Sequence, residues 1–97
     1  MRFAFKSPAL DEMYLSGRSG RFQPNIARAF LRVVAKIAAA VDERDLRAMN
    51  ALHMEKLRGD REGQYALRLN DQWRLIITIN HDTTGRYVLI IAIVDYH

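Results

Sequence analysis

The sequence predicts a single α+β domain over residues 1–97, with two principal helices, a short third helix and a mainly antiparallel β-sheet. Three observations carry that expectation. Apolar residues recur at steps of three and four from Ile26 to Val41; beyond Ala51 the period falls to two; and Pro, Gly and Asp residues punctuate the changes. With 49% hydrophobic and 27% charged residues, a chain of 97 residues closes one modest core. That size excludes a multidomain enzyme, a propeller and a full dinucleotide-binding domain, so an active site must be shallow and built at the surface.

The first element, Arg2 to Phe5, alternates Phe3 and Phe5 with polar or small neighbours and reads as a short strand. Ser7-Pro8 with Asp11 and Glu12 then marks a helix start: proline suits the first helical position, acids suit the positive end of the helix, and Gly17 stops it. Leu10, Met13 and Tyr14 share a face of that helix. After the polar loop Gly17 to Arg21, Pro24 opens the principal helix, whose stripe Ile26, Phe30, Val33, Val34, Ile37 and Val41 is expected in the core. Arg28, Arg32 and Lys36 repeat every four residues on another face, the usual pattern of a solvated helix surface. Asp42 is placed to cap a third, short helix through Leu46 and Met49, with Asp45 echoing a capping box.

From Ala51 the pattern predicts strands. Leu52, Met54 and Lys56 fall on one side, with His53, Glu55 and Leu57 on the other, ahead of the turn region Arg58 to Gly63. Tyr65, Leu67 and Leu69 then share a side, and Trp73, Leu75, Ile77 and Ile79 repeat it. Such placement makes Tyr65 and Trp73 core residues. His81 falls in an expected turn. The last strand, Tyr87 to Val94, is apolar at both parities and is expected to be central and covered on both faces.

Composition narrows the function classes. The absence of cysteine removes disulfides, thiolate metal sites and thiol nucleophiles, and makes the reducing cytoplasm the expected location. No stretch approaches the roughly 20 apolar residues of a membrane span. Fifteen Lys and Arg against 11 Asp and Glu give a net charge of +4, and most of the cations are arginine, the side chain suited to bidentate phosphate contact. No histidine–acid spacing reads as a metal site, no glycine-rich stretch precedes a helix in phosphate-loop form, and Ser7, Ser16 and Ser19 lack nucleophile signatures.

One hairpin yields a sharper inference. A two-residue loop would pair Leu67 with Arg74 and mix the faces, whereas a three-residue loop, Asn70-Asp71-Gln72, pairs Leu69 with Trp73 and Leu67 with Leu75. Asn or Asp is expected to supply the left-handed conformation that such a loop requires. This register sets Arg68 opposite Arg74. Two guanidinium groups so placed repel by up to about 1 kcal/mol unless an anionic ligand, or a carboxylate such as Asp60 or Glu62, offsets them.

The run Leu57-Arg58-Gly59-Asp60-Arg61-Glu62-Gly63, then Tyr65, Asn70 and Trp73-Arg74, and finally Asp95-Tyr96-His97, resembles the HigB-type toxins of the RelE/ParE superfamily across nearly the whole chain. The resemblance implies a small RelE-like domain with helices packed on a twisted antiparallel sheet. It also implies a cytoplasmic ribonuclease, without metal or other cofactor, that cleaves messenger RNA at the decoding site of the 70S ribosome. The implied partner is a helix-turn-helix antitoxin of HigA type, through which alone the toxin would meet DNA.

Cleavage by 2′-hydroxyl attack needs a base, an acid and cations around the phosphorane. By resemblance, His97 would transfer protons, Asp95 would orient it or share that task, and Tyr96 would stack on or hydrogen-bond to a base. Arg74 and Arg58 would bind the scissile phosphate, with Arg58 a stronger anchor than Arg61. Arg68 enters through the hairpin register as an accessory cation, and Lys56 as a further candidate for RNA contact. Some relatives carry a histidine where Glu55 stands here, with His53 two residues earlier; on one strand face, either would be placed to substitute for it. Two other classes fit the same residues less fully: a ParE-like, non-nucleolytic inhibitor of DNA gyrase, against which the terminal Asp-Tyr-His argues, and a small RNA-binding module without catalysis.

Overall fold

The computed structural model describes residues 1–96 and runs β1 (Arg2–Phe5), α1 (Pro8–Ser16), α2 (Pro24–Ala39), α3 (Glu43–Ala48), β2 (Glu55–Lys56), β3 (Tyr65–Arg68), β4 (Trp73–Asp82) and β5 (Gly85–Asp95). Single 3₁₀ turns, Asn50–Leu52 and Gly59–Arg61, flank β2. The five strands form one sheet in the order β1-β5-β4-β3-β2. Among the described residues only β1, lying parallel to β5, departs from antiparallel pairing.

Local chemistry sets the helix limits. The Ser7 hydroxyl accepts the Leu10 N–H at 3.3 Å at the start of α1, and Gly17, at φ 73°, ends it by donating to the Met13 carbonyl at 2.9 Å. Proline opens α2, which stops at extended Ala40. Val41 therefore lies beyond the helix and is 83% exposed, so the helical period overran the element by one step and its last residue is not core. Asp42 caps α3 through the Arg44 N–H at 2.9 Å, while the Asp45 carboxylate takes the N–H of Val41 rather than that of Asp42.

The core lies between the helices and one face of the sheet. Ile26, Phe30, Val33, Val34 and Ile37 of α2 are buried with Leu67, Leu75, Ile77, Val88 and Ile90. Phe5 packs on both Tyr14 and Phe30, with ring centroids 5.4 and 6.1 Å away, and so ties β1 to both long helices. Tyr65 and Trp73 pack against this cluster as expected. Arg28 and Arg32 are exposed on the solvent side of α2. No helix among the described residues is long and apolar enough to cross a membrane.

The strands depart from expectation in four places. Residues 51–54 do not continue a strand: Leu52 ends a 3₁₀ turn and His53 takes φ 48°, leaving only Glu55 and Lys56 in β2. The shared strand face expected for His53 and Glu55 is therefore absent. His81 lies within β4, opposite Arg86, and the turn is formed by the two residues after Asp82. In the Asn70–Gln72 loop no residue has positive φ; instead the Asn70 side-chain oxygen accepts the N–H groups of Gln72 and Trp73 at 2.9 and 2.8 Å and closes the turn itself.

The fourth departure concerns β5. Ile77 pairs with Ile90, yet Ile76 pairs with Ala92, so Ile91 is an extra residue, a β-bulge. Before it Val88 and Ile90 face the core; after it Ile93 does. The strand is apolar at both parities because its inward parity changes along its length. Its other face is only half-buried at Leu89, Ala92 and Val94, not fully covered.

Two stability predictions follow from this packing. Phe30→Ala, at a fully buried site, is expected to lower unfolding free energy by about 3–5 kcal/mol in urea titration. At the β4–β5 turn, Arg2 hydrogen-bonds the Asp82 carboxylate, which also accepts the hydroxyl and N–H of Thr84, and these bonds hold its pKa far below the ordinary carboxylate value. A depressed folded-state pKa contributes stability above the unfolded value and loses it as pH falls. Asp82→Asn should lower Tm near pH 7, and the difference from wild type should narrow as pH drops below about 4.

Candidate functional site

The sheet face turned away from the core collects the chemistry. Cross-strand register places Arg68, Arg74 and Val94 in one row, and Glu55, Ala66, Ile76 and Ala92 in the next. Arg68 and Arg74 stand directly opposite, as the hairpin register predicts. The carboxylate that offsets Arg68 is Asp71 in the loop, which forms an ion pair with it, rather than Asp60 or Glu62.

Arg74 has no carboxylate partner among the described residues. Its Nη1 donates to the carbonyls of Asn70 at 2.6 Å and Trp73 at 3.1 Å, which fixes the half-buried guanidinium against the hairpin. The Tyr96 ring lies over that guanidinium, 4.0 Å from centroid to Cζ, a cation–π contact. Nε and Nη2 make no hydrogen bond among the described residues, so two donor nitrogens of a fixed, planar cation remain for an anion.

Tyr96 reaches further. Its hydroxyl donates to Glu55 Oε2 at 3.2 Å, linking the end of β5 to β2 across the two strands between them, a lateral span of about 14 Å at ordinary strand spacing. Glu55 shares its row with Ala66 and Ile76, which are buried although they lie outside the main core. The end of β5 is itself held by the hairpin loop: the Tyr96 N–H donates to the Gln72 carbonyl at 2.6 Å, and Gln72 Nε2 donates to Asp95 Oδ2 at 3.0 Å.

Of the residues singled out in the sequence, the structure thus gathers Glu55, Arg68, Arg74 and Tyr96 at one end of one face, whereas Asp95, opposite Trp73, lies at the same end with the parity of the other face. Arg58 is exposed just beyond β2 and makes no side-chain hydrogen bond or ion pair among the described residues; the Arg61 guanidinium donates to Gln64 at 3.0 Å. Lys56, opposite Tyr65, belongs to the other face. His53 is exposed and outside the strand. His97 lies outside the described residues. Gln72 was not singled out, although the three-residue loop already placed it beside the Trp73 position that pairs with Asp95.

A cleft of about 370 Å³ opens elsewhere, between α1, the following loop and Ile91–Ile93, and contains none of these side chains. Among the described residues no group of three His, Cys, Asp or Glu is arranged to hold a metal ion.

The fold resembles a YoeB/ParE toxin from Agrobacterium tumefaciens, with a TM-score of 0.62 at 13% identity over 100% of both chains. It also resembles a chain in each of two YoeB–YefM complexes from Staphylococcus aureus, one described as a heterotetrameric toxin–antitoxin complex. Those two align with TM-scores of 0.60 at 21% and 22% identity, covering 100% of this chain and 97% of each. A search of curated protein sequences gives no match. The family model for the RelE-like toxin of the type II toxin–antitoxin system HigB matches residues 3–97, and the chain therefore belongs to the HigB-like family of RelE-superfamily toxins.

Proposed function

We propose that this toxin is an endoribonuclease that cuts messenger RNA on the ribosome through attack by the ribose 2′-hydroxyl, without a metal ion, and so arrests translation in the cytoplasm. The observation that carries the reading is the Arg74 guanidinium, immobilised by two backbone carbonyls with Nε and Nη2 still able to donate, beside a second arginine and the Tyr96 ring. A cation fixed before reaction stabilises charge that develops on the phosphorane without reorganising.

In the proposed step a base removes the 2′-hydroxyl proton, the 2′-oxygen bonds to phosphorus, and the 5′-oxygen leaves as an acid protonates it. The products are a 2′,3′-cyclic phosphate and a 5′-hydroxyl end. His97 and Asp95 are assigned to proton transfer, with the imidazole's reference pKa of about 6.5 suited to it. Arg74 and Arg58 hold the phosphate, Arg68 and Arg61 extend the cationic surface, and Glu55, through the Tyr96 hydroxyl, sets where the tyrosine ring rests. Binding RNA requires that ring to give way or to stack on a base. The toxin's partner in this reading is an antitoxin of the helix-turn-helix HigA type; the toxin–antitoxin complexes among the similar structures support such a partnership.

Two outcomes are expected. Arg74→Ala and His97→Ala should each lower cleavage of ribosome-bound messenger by about 10²- to 10³-fold while leaving Tm and antitoxin affinity close to wild type. Unchanged cut ends with both variants would remove the mechanism, and inhibition of supercoiling without RNA products would favour the gyrase-directed class. A messenger with a 2′-deoxyribose at the cut position should resist cleavage there, and normal products elsewhere should end in a cyclic phosphate.

A further inference from the structure

Resting on the nuclease reading above, we propose that Asp71 is a built-in competitor for the messenger: its carboxylate occupies Arg68 in the free toxin and yields that guanidinium to an RNA phosphate. Asp71 lies at the centre of the Asn70–Gln72 loop, and the motif resemblance gives it no role. Its side chain is 95% exposed, and the ion pair with Arg68 is its one hydrogen-bonded contact among the described residues. A pair so open to solvent is weak and readily exchanged.

The two arginines of the row are thus held in different ways. Arg74 donates to neutral carbonyls through Nη1, and an anion arriving at Nε and Nη2 displaces neither of them. Arg68, directly opposite, is already matched with an anion. A phosphodiester carries one negative charge and accepts the same planar, paired donors as a carboxylate, so the two compete for one guanidinium. Residues that face each other across two strands start about 5 Å apart at Cβ, which puts a phosphate on Arg74 within reach of Arg68. Like charge then sets that phosphate against the Asp71 carboxylate until the ion pair opens.

Asp71 therefore has two opposed effects. In the free toxin it offsets the repulsion between Arg68 and Arg74; during binding it removes one cation from those offered to RNA. Fewer phosphates are neutralised, and affinity and its dependence on salt both fall. Binding changes and the chemical step does not, because the Arg74 anchors involve neither Arg68 nor the Asp71 side chain.

The test measures binding of a 2′-O-methyl RNA, which lacks the attacking hydroxyl and stays intact, to the full-length toxin over a range of salt. Asp71→Asn should tighten binding about threefold at low salt and steepen the slope of log affinity against log salt by about 0.7, with the circular dichroism spectrum unchanged. Asp11→Asn, at an exposed site on α1, changes the net charge equally and should leave the slope as it is. In an Arg68→Ala background the Asp71→Asn change should alter affinity by less than about 1.5-fold, because the two residues act through one another. On ribosomes programmed with a defined messenger, Asp71→Asn should lower KM about threefold with kcat within about twofold. An unchanged salt slope in Asp71→Asn, or an equal gain with and without Arg68, would overturn the proposal. If wild type cleaves no messenger while Asp71→Asn still tightens RNA binding through Arg68, the nuclease reading fails and the competition for phosphate stands.

Discussion

The extra residue at Ile91 is the constraint on which the site depends. Carried unbroken from the Asp82–Gly85 turn, the β4–β5 register would set Arg74 opposite Ile93 and leave Tyr96 on the core side of the sheet. The bulge shifts that register by one, so Arg74 meets Val94, and the next residue of the same parity, Tyr96, emerges on the arginine face. Because side chains alternate with period two, a single inserted residue exchanges the two faces for everything beyond it. Core packing endorses the shift, since Ile93 takes up the buried row that Val88 and Ile90 begin. The same residue thus keeps the core apolar and brings Tyr96 to the candidate site.

The hairpin loop completes the arrangement from the opposite side. Asn70 uses its side chain to close the turn and its carbonyl to hold Arg74, while Gln72 holds Asp95 and Tyr96. A surface cation held in this way loses little further conformational freedom when an anion arrives. The stack of Tyr96 on Arg74 has a second effect: one face of the guanidinium is covered by the ring in the free protein. Recognition of a phosphate by the edge and of a base by the ring are compatible uses of the same pair. The cationic row on α2 lies on the opposite side of the molecule's core and shares no residue with this cluster.

Much of the fold is legible in the sequence because the core imposes simple periods. Ser7, Pro8, Gly17 and Pro24 mark helix limits by backbone chemistry alone, and alternation at Leu67, Leu69, Trp73 and Leu75 is enough to fix the hairpin register that faces Arg68 with Arg74. What the sequence conceals is local interruption. Val41 continues an apolar period past the residue where the helix stops, and His53 adopts a left-handed conformation that no neighbouring glycine or proline signals. Apolar residues at both parities of β5 look like burial on two faces when they record a change of phase. The site residues are named by motif, but the contacts among Tyr96, Arg74 and Glu55 depend on the bulge and on strands distant in sequence, and period alone cannot supply them.

The central claim is that the sheet face opposite the helices, at the end where Arg74 meets Tyr96, engages the messenger. A benzophenone amino acid installed at position 68 on that face, and separately at position 32 on α2, tests it on ribosomes carrying a labelled messenger. Crosslinks from position 68 to nucleotides flanking the cut are the predicted result. Crosslinks to messenger from position 32 with none from position 68 would contradict the account.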